Sequence, residues 1–425
     1  MTAKELDIAS VIANAELKLK ERFEELDKVA AINHRRVLTA MRDNRLSEEF
    51  FAEKTGYGMD DAGREAIDKI FAAAFQAEAA AVRMQFVSGT HAIAAALFGN
   101  LKYGDRMVTL TGKPYDTMLK VIGLPEPAPQ TIRAQGIDYQ QVDIDPSKVS
   151  EDELIRQIAL HVWSPCAVAY IQKSRGYSFE RRTLSNVEIG KMARAVKAVN
   201  PDCLVIVDNC YGEFVESSEP TANSVDLIAG SMIKNPGGGL VIGGGYVAGK
   251  KKCVDAALNR LTAPGIGGHL GLLFNQNRLL MQGLFSAPNA VSESVKGIML
   301  FAHCMMDLGL TVRPHPLERR FDIIQAIEFG TEERLVNFCR ALQRFSPVNG
   351  HVSPEASTMP GYPDKVVMAG GTFIEGATIE LSADGPIRPP YAGFLQGGLS
   401  YLHVKCVLED VLRLSTVGEF PFLEL

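Results

Sequence analysis

Three polar segments of the sequence follow apolar runs, and each offers a different chemical group. Lys234 lies among small residues in GSMIKNPGGG, a setting that suits an amine reacting with a carbonyl better than a surface charge. Asp208 directly follows the aliphatic run LVIV and could accept a hydrogen bond from a protonated ring nitrogen. Ser88, Gly89 and Thr90 precede an apolar helical stretch, and the free N–H groups at a helix start favour an anion such as phosphate.

Each feature alone has an ordinary explanation, because Ser88 could simply cap a helix and Asp208 could simply accept a loop hydrogen bond. Their combination is more informative. Asp208 and Lys234 are 26 positions apart, about the length of one strand, crossover and strand, so they can lie side by side at one sheet edge. A phosphate cradle, a carboxylate for a pyridine nitrogen and a lysine are the parts that pyridoxal phosphate requires. The glycines of GGGLVIGGG lack the G-x-G-x-x-G turn of a dinucleotide site, which we therefore reject.

The elements that must position these groups are predicted as an α/β sandwich over about residues 60–255. Runs that are apolar at nearly every position indicate strands covered on both faces, with helices as the crossovers of a mainly parallel sheet. The runs lie at 81–87, 107–110, 166–171, 204–207, 225–229 and 240–247, and helices are predicted at 61–78 and from residue 90.

The flanking regions have other patterns of apolar residues. Residues 1–48 have apolar positions at helical spacings, 256–302 are largely helical, and strands such as 366–369 and 377–382 follow before a helix from about residue 396. We therefore predict a helical arm (1–55), a three-layer α/β/α large domain (56–302) and a smaller α+β domain (303–425).

Composition excludes several classes of protein. The 425 residues are 46% apolar and 22% charged, which is typical of a globular protein with a sizeable core. A formal net charge of −6 argues against a nucleic-acid binder that relies on a basic field. The seven cysteines are dispersed without a CxxC pair, so neither a disulfide framework nor a metal site is predicted. Because no signal-like or membrane-length apolar segment is present, we expect a cytoplasmic protein with no membrane contact.

The order SGTHAIAAAL, GKPYDT, VDNCYGEF and GSMIKNPGGG resembles the fold-type I pyridoxal-phosphate enzymes, and within them the cystathionine and methionine γ-lyase group. The segments KTGYGMDDAGREAIDKIFAAAF, RRFDIIQAIEFG and RPPYAGFLQGGLSYLHVK are similar to the branch named for aluminium resistance and carbon–sulfur lyase activity. The resemblance covers about residues 50–410. It implies pyridoxal 5'-phosphate as the cofactor, a homo-oligomer built from dimers that share active sites, and a tetramer as the expected assembly.

The resemblance also implies residue roles. Lys234 would bind the cofactor as a Schiff base and later move the substrate α-proton, while Asp208 would keep the pyridine nitrogen protonated. Tyr115 would stack on the ring and assist proton transfer. The phosphate would contact Gly89 and Thr90 at the helix start, with Ser88 before them, and a further hydroxyl from Ser231.

Two positions depart from this pattern or leave it open. Tyr57 would reach the phosphate of the neighbouring subunit, but the arginine that closely follows this tyrosine in better-known lyases is replaced by Gly58-Met59, and the next arginine is Arg64. An arginine is expected to bind the substrate carboxylate, since its guanidinium binds carboxylates through two hydrogen bonds. Arg388 is the first choice, and Arg175 and Arg313 are weaker candidates.

The sequence therefore predicts a lyase that removes a β- or γ-thiol substituent from a sulfur-containing amino acid such as cystathionine, cysteine or methionine. One alternative keeps the cofactor but changes the reaction, to an aldolase or a transferase of the selenocysteine-synthase kind. Another is a non-catalytic stress-response protein that retains the fold, against which the presence of both Asp208 and Lys234 argues.

Overall fold

The computed structural model describes residues 7–424. The helices are α1 (Ile8–Asp43), α2 (Ala62–Ala74), α3 (Gly89–Asn100), α4 (Asp116–Ile122), α5 (Glu151–Ala159), α6 (Asn186–Val199), α7 (Lys251–Leu261), α8 (Asn277–Asp307), α9 (Glu332–Arg344) and α10 (Tyr401–Thr416). The strands are β1 (Ala79–Arg83), β2 (Arg106–Thr109), β3 (Asp138–Gln141), β4 (Cys166–Gln172), β5 (Leu204–Asp208), β6 (Leu227–Ser231), β7 (Gly245–Gly249), β8 (Thr311–Arg313), β9 (Ile324–Glu328), β10 (Val366–Ala369), β11 (Ser382–Pro386) and β12 (Ala392–Gln396).

The first sheet has seven strands in the order β1-β7-β6-β5-β4-β2-β3. Strands β6, β5, β4, β2 and β3 run parallel, whereas β7 is antiparallel to both β6 and β1. Along β5, Val205 and Val207 pack into one apolar cluster and Ile206 packs into another. Since successive strand residues point to opposite faces, both faces of this sheet are covered, and the predicted three-layer architecture is confirmed.

The second sheet, near the C-terminus, has five strands in the order β10-β11-β12-β9-β8, and every pairing is antiparallel. The long helices α1 and α8 pack against each other, and α8 also packs against α10. Helix α8 continues to Asp307, past the predicted domain limit at residue 302. The three predicted domain ranges stay predictions.

One predicted strand is right only in part, and another is wrong. In the run at 240–247, residues 245–247 enter β7, whereas Gly244, like Gly239 just before the run, has a positive φ angle that interrupts extended backbone. The run at 377–382 precedes β11, and its Glu380 carboxylate accepts hydrogen bonds from the N–H groups of Phe373 and Ile374, which stabilises a compact loop. Its alternating apolar residues are buried as part of that loop.

Other strands were not predicted at all. The edge strand β3 has the sequence DYQQ, which carries no apolar run, and β9 and β12 lie in segments that the sequence did not distinguish from loops. The last helix begins at Tyr401, slightly later than predicted, because Gly397 and Gly398 adopt positive φ angles before it.

Candidate active site

Asp208 and Lys234 lie at the ends of adjacent parallel strands. Asp208 is the last residue of β5, and Lys234 follows Ser231, the last residue of β6, after one short turn. Register pairs Asp208 with Ala229 across the two strands. The predicted juxtaposition at one edge of the sheet is therefore confirmed, and both side chains line the same cavity of about 420 Å³.

The Lys234 side chain is partly buried, and its amine lies beside an aromatic ring. Its Nζ lies 3.7 Å from the centroid of the Tyr211 ring, so the ring face contacts the cation directly. Burial lowers the pKa of Lys234, but the neighbouring Cys210, Tyr211 and Asp208 outweigh burial and raise it well above its usual value.

The Asp208 carboxyl is fixed by two donors. Its Oδ1 accepts a hydrogen bond of 3.0 Å from the Cys210 N–H, and the Tyr170 hydroxyl donates to Oδ2 over 3.4 Å. Burial raises the pKa of Asp208, while the nearby Lys234 ammonium and the Cys210 hydrogen bond lower it less strongly. A further cationic group in the cavity, such as a protonated ring nitrogen, would favour the ionised carboxylate.

The start of α3 forms one wall of the cavity. Ser88 caps the helix by accepting a hydrogen bond from the His91 N–H, and the first N–H groups of a helix have no partner within it. A side chain could not replace the hydrogen of Gly89 freely, because its Cβ would lie 3.0 Å from the Cβ of Ser231. The absence of a side chain at Gly89 thus allows the start of α3 to pack closely against the end of β6.

Tyr115 links the start of α3 to the end of β4. Its N–H donates to Oε1 of Gln172 over 2.9 Å, and its hydroxyl lies 3.0 Å from Oγ1 of Thr90. Burial raises the pKa of the Tyr115 phenol well above its usual value. The side chain is thus a neutral phenol, held at the helix start by Thr90 and lining the same cavity as Lys234.

The structure brings together most of the predicted site residues. Those lining the cavity are Ser88, Gly89, Thr90, Tyr115, Asp208, Ser231 and Lys234. Sequence reasoning missed Tyr211, although it belongs to the motif VDNCYGEF, and also Tyr362, Phe394 and Gln396, which come from the second-sheet region. Tyr211 has a φ of 72°, an unusual conformation for a tyrosine that tends to occur at functional sites.

Tyr57 lies outside this cavity, with 74% of its surface exposed in the single chain. Its loop is held by Arg64, whose Nη1 donates to the carbonyls of Gly58 and Gly271 over 2.7 and 2.8 Å and whose Nη2 donates to that of His269. The guanidinium of Arg64 is therefore occupied by backbone carbonyls, and the part predicted for Tyr57 stays a prediction.

The three candidate arginines for a substrate carboxylate also lie outside the Lys234 cavity. Arg388 pairs with Asp364 over 2.7 Å and donates to the Tyr177 carbonyl. Arg313 pairs with Glu180. Arg175 is buried, and with Arg388 it lines a second, neighbouring cavity. The positions of these three arginines therefore do not identify the residue that binds the substrate carboxylate.

Within residues 7–424, no cluster of three or more His, Cys, Asp or Glu side chains is arranged to hold a metal ion. Among these residues, no helix has the length and apolar character needed to cross a membrane.

A lysine and an aspartate on adjacent strand ends of a mainly parallel seven-stranded sheet, followed by an antiparallel C-terminal sheet, define a fold-type I enzyme. The pyridoxal-5'-phosphate-dependent protein YhfS from Escherichia coli has this fold, with a TM-score of 0.60, 15% identity and coverage of 91% of this chain and 97% of its own.

The family model "Methionine gamma-lyase" matches residues 8–415, and the chain belongs to this family. It is 45% identical over 384 residues to the uncharacterised protein YnbB of Bacillus subtilis, covering 90% of each chain. It is also similar to a carbon–sulfur lyase involved in aluminium resistance from Clostridium novyi, with 41% identity, a TM-score of 0.89 and 95% coverage of both chains.

Proposed function

We propose that this protein is a pyridoxal-phosphate-dependent carbon–sulfur lyase that acts on a sulfur-containing amino acid by β- or γ-elimination. The observation that carries the proposal is that the partly buried Lys234 amine and the buried Asp208 carboxyl line one cavity at adjacent strand ends. Perturbed ionisable groups that share a cavity are typical of active sites.

The residues present fit the cofactor. The start of α3 offers N–H groups and the Thr90 hydroxyl to a phosphate, Asp208 offers a carboxylate to a ring nitrogen, and Lys234 offers an amine to an aldehyde. Gly89 and Ser231 meet at the phosphate end of this arrangement, where a larger residue than glycine would fill the cradle. Bound there, the cofactor would supply an electron sink that stabilises negative charge on the substrate α-carbon.

The chain's own residues would then carry out proton movement and positioning. Lys234 Nζ, released by the substrate, would take the proton from the α-carbon, which requires that its raised pKa fall when the site is filled. Tyr115 would contribute its phenol, held by Thr90, to the same proton transfers. Tyr57 would complete the site of a neighbouring subunit, so the active form would be at least a dimer.

The experiment that tests the proposal measures release of thiol and keto acid from cystathionine, cysteine and methionine by the purified protein supplied with cofactor. We expect at least one substrate to be cleaved. Purified wild type should be yellow, and Lys234→Ala should lose the absorbance of the lysine-bound cofactor and the activity. Lys69→Ala provides a control. Lys69 is an exposed residue of α2, so this variant should keep both the absorbance of the bound cofactor and the activity.

The alternatives predict other outcomes. Cleavage of threonine to glycine without thiol release would favour an aldolase over a lyase. A colourless wild type that binds no added cofactor would contradict both enzyme hypotheses and favour the non-catalytic stress-response protein.

A further inference from the structure

A second cavity of about 690 Å³ adjoins the Lys234 cavity. The two share part of their walls, including Tyr115, Gln172, Gly176 and Tyr177. A molecule held at Lys234 therefore has a neighbouring space into which a longer side chain can extend. None of the roles assigned above uses this space.

Six cationic side chains line the second cavity: Lys113, Lys148, Arg175, Arg181, Arg182 and Arg388. Three of them already have carboxylate partners. Lys148 and Arg182 contact Asp145, Arg182 also contacts Glu188, and Arg388 contacts Asp364. Within residues 7–424, the other three have no carboxylate oxygen within 4.0 Å.

The two unpaired arginines are poorly satisfied. Arg175 is 3% exposed, its Nε has no hydrogen-bond partner among the described residues, and its one contact is a long hydrogen bond of 3.4 Å to the Phe179 carbonyl. The Arg181 guanidinium, which is partly exposed, donates only to the Lys113 carbonyl, over 3.0 Å. A desolvated guanidinium without its hydrogen bonds is unfavourable, so an anion beside Arg175 would be stabilised, with Arg181 free to bind it as well.

The acids near this cavity do not pair directly with Lys113, Arg175 or Arg181. Asp145 is taken by Arg182 and Lys148, and Glu180 by Arg313. Asp116 lies in the first turn of α4, where a helix start favours a carboxylate. Asp143 acts on Arg181 from beyond contact distance. Asp322 and Glu318 act on Arg175 in the same way, so none of these acids forms a direct ion pair with the two arginines.

We infer that the second cavity binds an acidic group at the far end of the substrate's sulfur substituent, with Arg181 and Arg175 as its partners. This inference rests on the proposed function. The enzyme would then prefer sulfur amino acids whose sulfur carries an acid-bearing arm over those with a small apolar group such as the methyl of methionine. The preference follows from the charge-assisted hydrogen bonds that guanidinium groups form with carboxylates.

The test compares two substrates of nearly equal shape, S-carboxyethyl-L-cysteine and its terminal amide, each with its homocysteine counterpart. In the cofactor-loaded wild type we expect kcat/KM to favour the acid. In Arg181→Gln the acid-to-amide ratio should fall about ten- to hundredfold, while turnover of the amide is retained. Arg156→Gln is the matched control, because Arg156 pairs with Glu153 on α5 and lines neither cavity.

Binding without reaction provides a second readout. Thiodipropionate and its monoamide lack the α-amino group, so calorimetry on the cofactor-loaded enzyme measures their affinity alone. Tighter binding of the diacid that depends on Arg181 supports the inference even if no substrate is cleaved, an outcome that would refute only the proposed lyase activity. Equal handling of acid and amide by wild type, or an equal loss for both in Arg181→Gln, would overturn the inference.

Discussion

Gly89 lies where the start of α3 meets the end of β6, and replacing it with alanine tests whether this close approach exists. An added Cβ would lie 3.0 Å from the Ser231 Cβ and 3.3 Å from both the Ser231 nitrogen and the Cys210 Sγ. The first two atoms belong to a buried strand end, which cannot move as freely as the tip of a flexible side chain. The helix start, with its proposed phosphate-binding N–H groups, must shift instead.

Two opposing effects set the magnitude. Overpacking of a buried contact typically costs about 1–3 kcal/mol. Alanine is favoured over glycine within a helix by about 0.5–1 kcal/mol, although this gain is smaller in the first turn. We therefore expect Gly89→Ala to lower the free energy of unfolding by about 1 kcal/mol and to weaken cofactor binding, because the displaced N–H groups no longer meet the phosphate.

Urea unfolding of the cofactor-free protein measures the first effect, and titration with the cofactor measures the second. Ser231→Gly removes the nearest atom, so Gly89→Ala should cost less in that background than in wild type, a coupling of about 1 kcal/mol. Gly370→Ala is the control, since no atom lies within 4 Å of its added Cβ. If Gly89→Ala matches Gly370→Ala in stability, and Ser231→Gly changes nothing, the reasoning from close approach is refuted.

Three further predictions concern the surroundings of the site. Arg64→Gln should lower the unfolding free energy by about 2–4 kcal/mol in denaturant titration, because three buried carbonyl contacts lose a charged donor; an unchanged value would contradict this. Tyr57→Ala should weaken cofactor binding while leaving the unfolding of the cofactor-free chain unchanged, since the side chain is exposed in the single chain; equal cofactor affinity would count against its reach across subunits. Burial raises the pKa of Asp384 to about 7. Between about pH 4 and 7 the unfolded chain therefore releases this proton while the folded chain keeps it. The stability that the protonated Asp384 carboxyl contributes is thus lost as pH rises. Relative to wild type, Asp384→Asn should therefore gain stability from about pH 4 to pH 8 in urea unfolding, and parallel curves for the two proteins would refute this.

The part of the site that lies on the parallel sheet was predictable, for a physical reason. Lys234 and Asp208 each follow a buried strand, and parallel strands place their carboxyl ends at the same edge. The apolar runs at β5 and β6 therefore carried information about both the fold and the position of the candidate site. The polar edge strand β3 carried no such signal, because a strand that is half exposed at a sheet edge needs no continuous apolar run.

The remaining walls of the cavity depend on contacts between distant segments. Tyr362, Phe394 and Gln396 reach the Lys234 cavity from the region of the second sheet, more than a hundred positions away along the chain. Gln396 is fixed there by a hydrogen bond from its Nε2 to the Asp384 Oδ2, across β12 and β11. Neither spacing nor residue type marks such a residue in advance, since its position depends on how the second sheet packs against the first.

The same dependence on tertiary contacts explains why residue type alone could not distinguish among the arginines. Arg388 has the chemistry to bind a carboxylate, but its guanidinium already contacts Asp364, and a substrate would have to exchange with that partner. Arg175 and Arg181 have no such partner among the described residues, and an anion would bind them without displacing another. Because the net value of an ion pair is the difference between old and new partners, a guanidinium without a carboxylate partner is the stronger site, although the sequence does not distinguish it from the other arginines.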